Sequence, residues 1–297
     1  MIGAKNNLKE TLFNLLVGEW HIDINYAHQE FNKYVEKIEL LNSGVSFSDL
    51  FKAQKDESGK LAIVSSYGAA TVVSSFDDIT ENGSILELSF SGVMRDEDGM
   101  CSYGINSLAN NLYSAYGNSK VSGILLNINS GGGYSSAGYT LQQAIADKNK
   151  PVVVRAPLLA SAALNGALPA TEIVAASDAS EIGSIGTYIT LNLKALEEYK
   201  AEYKDVYATV SPDKNKAFRN AVSGDFSELE KYVTKNAEMF QSKVSQFLTL
   251  KESTKDSTLS GGMFFAQDAK RRGLVHSVGS KQFAVKRILS HIKYSSI

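Results

Sequence analysis

The chain has 297 residues, with 30 Lys and Arg against 32 Asp and Glu, a formal net charge of −2 and a single cysteine, Cys101. So even a balance gives no electrostatic footing for nucleic acid or an anionic membrane surface, and one cysteine excludes an internal disulfide framework and a Cys-rich zinc site. No run reaches the roughly 18 apolar residues of a membrane span, and the opening MIGAKNNLKETLFNLL lacks the apolar stretch of a secretory signal, so a cytoplasmic protein without a membrane anchor is expected.

Residues 1–80 are expected to form an N-terminal helical and loop segment, and residues 81–297 the main domain. Leu12, Leu15 and Leu16 make one apolar stripe, and Tyr26, Phe31, Tyr34, Val35 and Ile38 make another, so residues 8–41 read as two helices. Between them lies Trp20-His21-Ile22-Asp23. His21 and His28 stand two helical turns apart, but no carboxylates complete a metal site, and solvated or core-edge histidines are the plainer reading. No metal or cofactor is expected. From residue 42 to 83 the composition turns polar and rich in Gly and Ser, which predicts loops and short strands. Alternation and β-branching predict a strand over Ile85–Phe90, followed by the charged turn Arg95-Asp96-Glu97-Asp98-Gly99 and a helix over Ser107–Tyr116. Cys101 reads as a small apolar core residue.

The stretch from Val121 to Gly186 organises the chain. Three apolar runs recur along it: Ile124-Leu125-Leu126 with Ile128, then Val152–Val154, then Ile173–Ala176. The first ends in Asn129-Ser130-Gly131-Gly132-Gly133 and a helical pattern from about Tyr134 to Asp147. The second leads into Ala160-Ser161-Ala162-Ala163, and the third into Gly183-Ser184-Ile185-Gly186. Strand, turn and helix in alternation predict an α/β fold on a parallel sheet, whose chemistry gathers at the carboxyl ends of the strands. Beyond it, helices are predicted over Lys194–Tyr203, Phe226–Leu250 and Lys281–Lys293. A strand is predicted over Val206–Val210, ending at Ser211-Pro212. Tyr203, Tyr207 and Phe218 suit either core packing or a substrate groove. Lys270-Arg271-Arg272 suits the solvated last turn of a helix.

A glycine turn and an uncrowded serine, each at a strand end, are the parts of an acyl-transfer site. Glycines let a backbone approach a substrate closely, and N–H groups on tight turns can hold a developing oxyanion. The simpler readings are a strand-to-helix turn for the glycines and an N-cap for Ser161. The triple glycine is not a dinucleotide fingerprint, because residue 136 is serine where G-x-G-x-x-G needs glycine.

These motifs, in this order, resemble the serine peptidase family of signal peptide peptidase A and the phage head maturation (prohead) proteases. Asn129-Ser130-Gly131-Gly132-Gly133 is similar to the family's N-S-P-G-G turn, with Gly131 in place of proline. Ala160-Ser161-Ala162-Ala163 is similar to its A-S-G/A motif, and Gly183-Ser184-Ile185-Gly186 to its G-S-I-G. The likeness continues through Ser260-Gly261-Gly262-Met263-Phe264 and Gly273-Leu274-Val275, where His276 follows in place of an acidic residue. Trp20-His21-Ile22-Asp23 is similar to the W-x-I-D opening of phage-type members.

The resemblance implies a Clp-protease/crotonase-like superhelix of ββα units and an ATP-independent serine endopeptidase. It implies Ser161 as nucleophile and the N–H groups of Gly133 and Ala162 as the oxyanion hole. No histidine lies between the serine motif and residue 275, which leaves a neutral lysine as base. Lys214, in Ser211-Pro212-Asp213-Lys214, matches the family's lysine position best, with Lys216 as the alternative and Ser184 as the residue that orients the base. Such a base needs its pKa brought from ~10.4 toward ~7–8 by burial or positive neighbours, so Asp213 is expected to point away from Lys214. Peptide substrates, namely scaffold and capsid precursors, and a homo-oligomer follow from the same resemblance. An unanchored signal-peptide-peptidase-like enzyme and a crotonase-fold non-peptidase or scaffold protein remain the alternatives.

Overall fold

Ile, Leu and Val runs too apolar to leave either face in water form the middle of the sheet. In the computed structural model of the chain, which describes residues 18–22, 43–44, 58–99, 103–251 and 255–295, β1 is Gly18–Ile22, β2 Leu61–Val64, β3 Ala70–Val73 and β4 Ser84–Ser91. The central units follow: α1 Ile105–Gly117, β5 Val121–Ser130, β6 Gly132–Tyr134, α2 Ser135–Ala146, β7 Val152–Ala160, α3 Ala162–Ala167, β8 Glu172–Ala175, β9 Glu181–Gly183 and β10 Tyr188–Thr190. An arm of α4 Leu193–Glu202, α5 Lys216–Val222 and α6 Ser227–Phe247 comes next. The chain then returns through α7 Lys255–Thr258, β11 Met263–Phe265, α8 Ala266–Arg272, β12 Ser277–Val278 and α9 Lys281–Ser295.

β4, β5 and β7 pair in parallel, in that order, and successive residues face opposite layers. Ile124, Leu126 and Ile128 meet Leu108, Leu112, Leu141 and Leu164 of α1, α2 and α3. Leu125, Val153 and Val174 meet Ala284, Val285 and Ile288 of α9. Covering both faces is what makes these strands continuous apolar runs, and each fully buried Leu or Ile contributes about 1.5–3 kcal/mol.

β7 changes partner along its length. Val153 to Ala156 pair with Glu172 to Ala175 of β8, and Leu158 to Ala160 pair with Glu181 to Gly183 of β9. The exposed Pro157 sits at the changeover, where a missing N–H removes nothing from either ladder. β5 keeps β4 and β7 as its partners but shifts register against β7 between Asn127 and Asn129, and the chain continues into β6, which Met94 bridges in parallel at Gly133. Strand, bent continuation and helix therefore repeat along the chain, and the fold is an α/β superhelix of ββα units.

Polar side chains tie α9 to this sheet. Glu172, only 4% exposed, accepts hydrogen bonds from Ser277 Oγ at 2.8 Å and Arg287 Nε at 2.7 Å, with His291 Nε2 at 3.2 Å. Burial pushes the Glu172 carboxyl up, but the hydrogen bonds from Arg287, Ser277 and His291 outweigh it and hold the group below the usual carboxylate range. His276 closes the end of β8. Its N–H donates to the Ile173 carbonyl at 2.9 Å, and its Nδ1 accepts from the Ile173 N–H at 3.0 Å. Burial holds the imidazole below its ordinary range, and the accepting nitrogen requires the neutral ring.

Several expectations need correction. Val206–Val210 is no strand: among the described residues nothing pairs with it, and Val206 and Val210 are 91% and 87% exposed. Arg272 is not a solvated end of helix; it pairs with Asp268 at 3.0 Å and lies over the Phe264 ring. The interval holding Trp20 to Ile22 is a strand. The helices expected on either side of it, together with His28 and Cys101, lie outside the described residues.

Candidate active site

β7 ends at Ala160, whose register partner on β9 is Gly183. The Ser161 N–H therefore donates to the Gly183 carbonyl at 2.9 Å, while the Ser161 carbonyl receives the Asn165 N–H at 2.9 Å and starts α3. Between these two ties Ser161 adopts φ 54° and ψ −120°. A non-glycine residue with this backbone costs on the order of 1–3 kcal/mol and persists only where its surroundings over-determine it. Ser161 is 1% exposed, and its hydroxyl makes no capping bond to α3. Ser161 does occupy the N-cap position of α3, but its hydroxyl is not spent on capping.

The same register brings the G-S-I-G motif alongside. Gly183 has φ 142°, and a β-carbon there would stand 2.2 Å from the Gly262 carbonyl oxygen. Ser184, at φ 54°, donates its N–H to that carbonyl at 2.9 Å. β9 pairs antiparallel with β11, Gly183 opposite Met263. Three motifs far apart in sequence thus meet on adjacent strands, with half-buried Ser184 next to the serine strand.

The glycine turn is fixed by Ser130. Its hydroxyl donates to the Gly92 carbonyl at 2.6 Å and accepts the Gly132 N–H at 3.1 Å. Gly132 has φ 103°, and a β-carbon on Gly133 would lie 2.1 Å from the Met94 carbonyl oxygen, so both positions exclude a side chain. The Met94 N–H donates to the Gly132 carbonyl and the Tyr134 N–H to the Met94 carbonyl, both at 2.9 Å. Strand alternation then turns the N–H of Gly133 to the other side of β6, where its register partner is His21 of β1. Ala162 is the first residue of α3, so no carbonyl one turn earlier in the helix receives its N–H. Gly138 of α2 packs so near Ala162 that a β-carbon would meet its carbonyl oxygen at 3.0 Å, which couples the helix after the glycine turn to the serine.

Lys214 stands elsewhere. It lies in an exposed turn, its N–H donating to the Ser211 carbonyl at 3.3 Å. Asp213 lies 3.9 Å from Lys216, which also meets Glu228 at 3.8 Å. Among the described residues, no hydrogen bond or ion pair joins Lys214 or Lys216 to Ser161 or Ser184. Near this turn, Tyr199 stacks on Tyr203 and meets the edge of Phe218, both at 5.1 Å between ring centres, and Arg219 lies over Tyr207. These aromatics lie outside the buried core.

One pair escaped the sequence. Gln142 Nε2 donates to Asn165 Oδ1 at 2.8 Å and to the Asn165 carbonyl at 3.0 Å, with both residues buried behind the serine. A glutamine on the apolar face of α2 was the available signal. Among the described residues no cluster of three His, Cys, Asp or Glu could hold a metal, and no helix is long and apolar enough to cross a membrane.

Comparison with known proteins bears on this site. Solved structures similar in chain course include an enoyl-CoA hydratase/isomerase from Pseudoalteromonas atlantica, 14% identical over 72% of this chain and 73% of that one, with a TM-score of 0.40. An enoyl-CoA hydratase from Shewanella pealeana is 12% identical over 83% and 78% of the two chains, with a TM-score of 0.39. Neither bears on what this chain does. No curated protein sequence matches it. Residues 144–294, half of the chain, match Peptidase family S49. That span includes the Ser161 and Ser184 motifs, the Lys214 turn and the closing motif around Gly261 to Val275. The chain belongs to peptidase family S49 and is a serine peptidase.

Proposed function

We propose that the protein is an ATP-independent endopeptidase in which Ser161 is the nucleophile and Lys214 the general base. The observation that carries this is the register of Ala160 against Gly183, which ties Ser161 into a strained turn beside Ser184. In this reading Lys214 Nζ, neutral, takes the Ser161 Oγ proton as the oxygen attacks the scissile carbonyl. The N–H groups of Gly133 and Ala162 hold the oxyanion. The lysine then gives its proton to the departing amine, and a water activated the same way releases the acyl group. Ser184 orients the base, and Lys216 is the alternative base.

A lysine serves as base only in its neutral form, which burial favours, and in one chain Lys214 lies in water. The arm around it exposes Leu193, Tyr203, Val206 and Val210, more apolar surface than a solvated segment needs. A second copy of the chain covering this arm supplies both burial and a neighbouring serine, so we place the complete site between subunits of a homo-oligomer. The W-x-I-D opening favours a phage head maturation protease acting on scaffold and capsid precursors. The test is hydrolysis of a capsid or scaffold precursor encoded beside this gene by the wild type, and its absence with Ser161→Ala. If an unstructured peptide is cut but no such precursor is, the peptidase chemistry stands and the capsid assignment falls.

A further inference from the structure

The three-stranded sheet β10-β1-β6 is built from the two motifs of the site. β6 is the second and third glycine of the turn with Tyr134, and β10 begins two residues after Gly186. β1 lies between them and runs antiparallel to both, with Trp20 opposite Tyr134 on one side and Tyr188 on the other. Without β1, two parallel edges would face each other across a gap one strand wide, roughly 9–10 Å. An extended peptide fits such a gap by strand addition, held by backbone hydrogen bonds on both sides.

β6 has only one edge to offer. Met94 holds the other through Gly132 and Tyr134, and the Gly133 N–H points to the β1 side, opposite His21. Any substrate strand whose carbonyl is to reach that N–H must occupy the place of β1. We propose that Gly18–Ile22 is a resident occupant of the peptide slot, and that an extended substrate segment, antiparallel to β6 and β10, binds by displacing it. β1 is five residues long and pairs over three residues on each side. At about 1 kcal/mol net per backbone hydrogen bond, such a strand is exchangeable. The displacement makes the chain self-restrained: it acts on a partner only when that partner supplies a competing strand. This rests on the reading of Gly133 as an oxyanion donor, and the experiment separates the two.

In a Cys101→Ser, Ser161→Ala background, Glu19→Cys with Ile189→Cys places two thiols at register partners of β1 and β10. Gly18→Cys with Thr190→Cys is the neighbouring pair. Binding of a fluorescent peptide copying Val17–Asn25 is followed by anisotropy. The expected result is at least about tenfold weaker binding with the disulfide closed than after reduction, and tighter binding still with Trp20→Pro, which removes a backbone donor from β1. Equal binding in all three states overturns the proposal, as does failure of both cysteine pairs to cross-link, since β1 must rest on β10. Peptide cleavage is measured separately with Ser161 restored. If binding follows the lock while no form cleaves, the slot stands and the assignment of the catalytic residues fails.

Discussion

Ser161 and Lys214 sit in regions of opposite character. Around Ser161 every neighbour along the chain from Leu159 to Ala163 is buried, and backbone hydrogen bonds fix the turn from both sides. Around Lys214 the residues from Pro212 to Lys216 are exposed, and the valines preceding them face water. The first region carries its geometry in its own fold; the second, among the described residues, leaves Lys214 and the valines before it exposed. A nucleophile needs a precise backbone, whereas the proposed lysine base also needs a wall, which the proposed homo-oligomer would supply.

The largest expected effect tests the first region. Ser161→Ala should lower peptide hydrolysis by about 10³-fold or more while leaving the thermal midpoint within a few degrees, because it removes one hydroxyl that caps nothing. Turnover retained in a clean preparation would end the nucleophile assignment. Lys214→Ala and Lys214→Arg should both be inactive, since arginine stays protonated. If Lys216→Ala is the inactive variant instead, the base moves by two residues. Mixing Ser161→Ala with Lys214→Ala sharpens the contrast: after subunit exchange, shared sites regain activity at interfaces that join an intact serine to an intact lysine. A mixture that stays dead despite proven exchange places each site within one chain.

Smaller effects probe the frame. Gly133→Ala should destabilise by about 3 kcal/mol, read in denaturant melts, because its β-carbon would fall 2.1 Å from the Met94 carbonyl oxygen. Gly186→Ala, with open space around it, should be nearly silent by the same assay. The smallest effect is with pH. The imidazole of His276 is held below its ordinary range, so its contribution is complete above about pH 6.5 and is lost as the pH falls below that. Glu172, held below the usual carboxylate range, loses its contribution only below about pH 4.3. A melt series from pH 8 to 3 should show two steps, and His276→Asn should remove the upper one.

What the sequence made legible was what neighbouring residues decide together. The β-branched runs, the glycine turn and the helices after them fell within a few residues of their predicted places, because their patterns are local. The family motifs marked the strand ends that the register brings together. Val206–Val210 misled because β-propensity describes a residue that fits a pleated, half-buried surface, and here no such surface is offered. β1 was invisible because five residues, one of them a glycine, carry too little alternation to outweigh the helical stripes beside them. The Gln142–Asn165 bond and the setting of His276 depend on which elements pack together, which no local pattern encodes.

The divided loyalty of β7 has a consequence for how the enzyme comes into being. Its first half belongs to the core and its second half delivers Ser161, so the strand cannot present the serine before the β8 and β9 ladders have both closed. The turn at φ 54° makes the dependence steeper, since an isolated chain has no reason to hold a serine there. With Ser161 as the proposed nucleophile, a nascent or partly melted copy should therefore be inert rather than weakly active. On that assignment, competence to cut should arrive only with the finished fold.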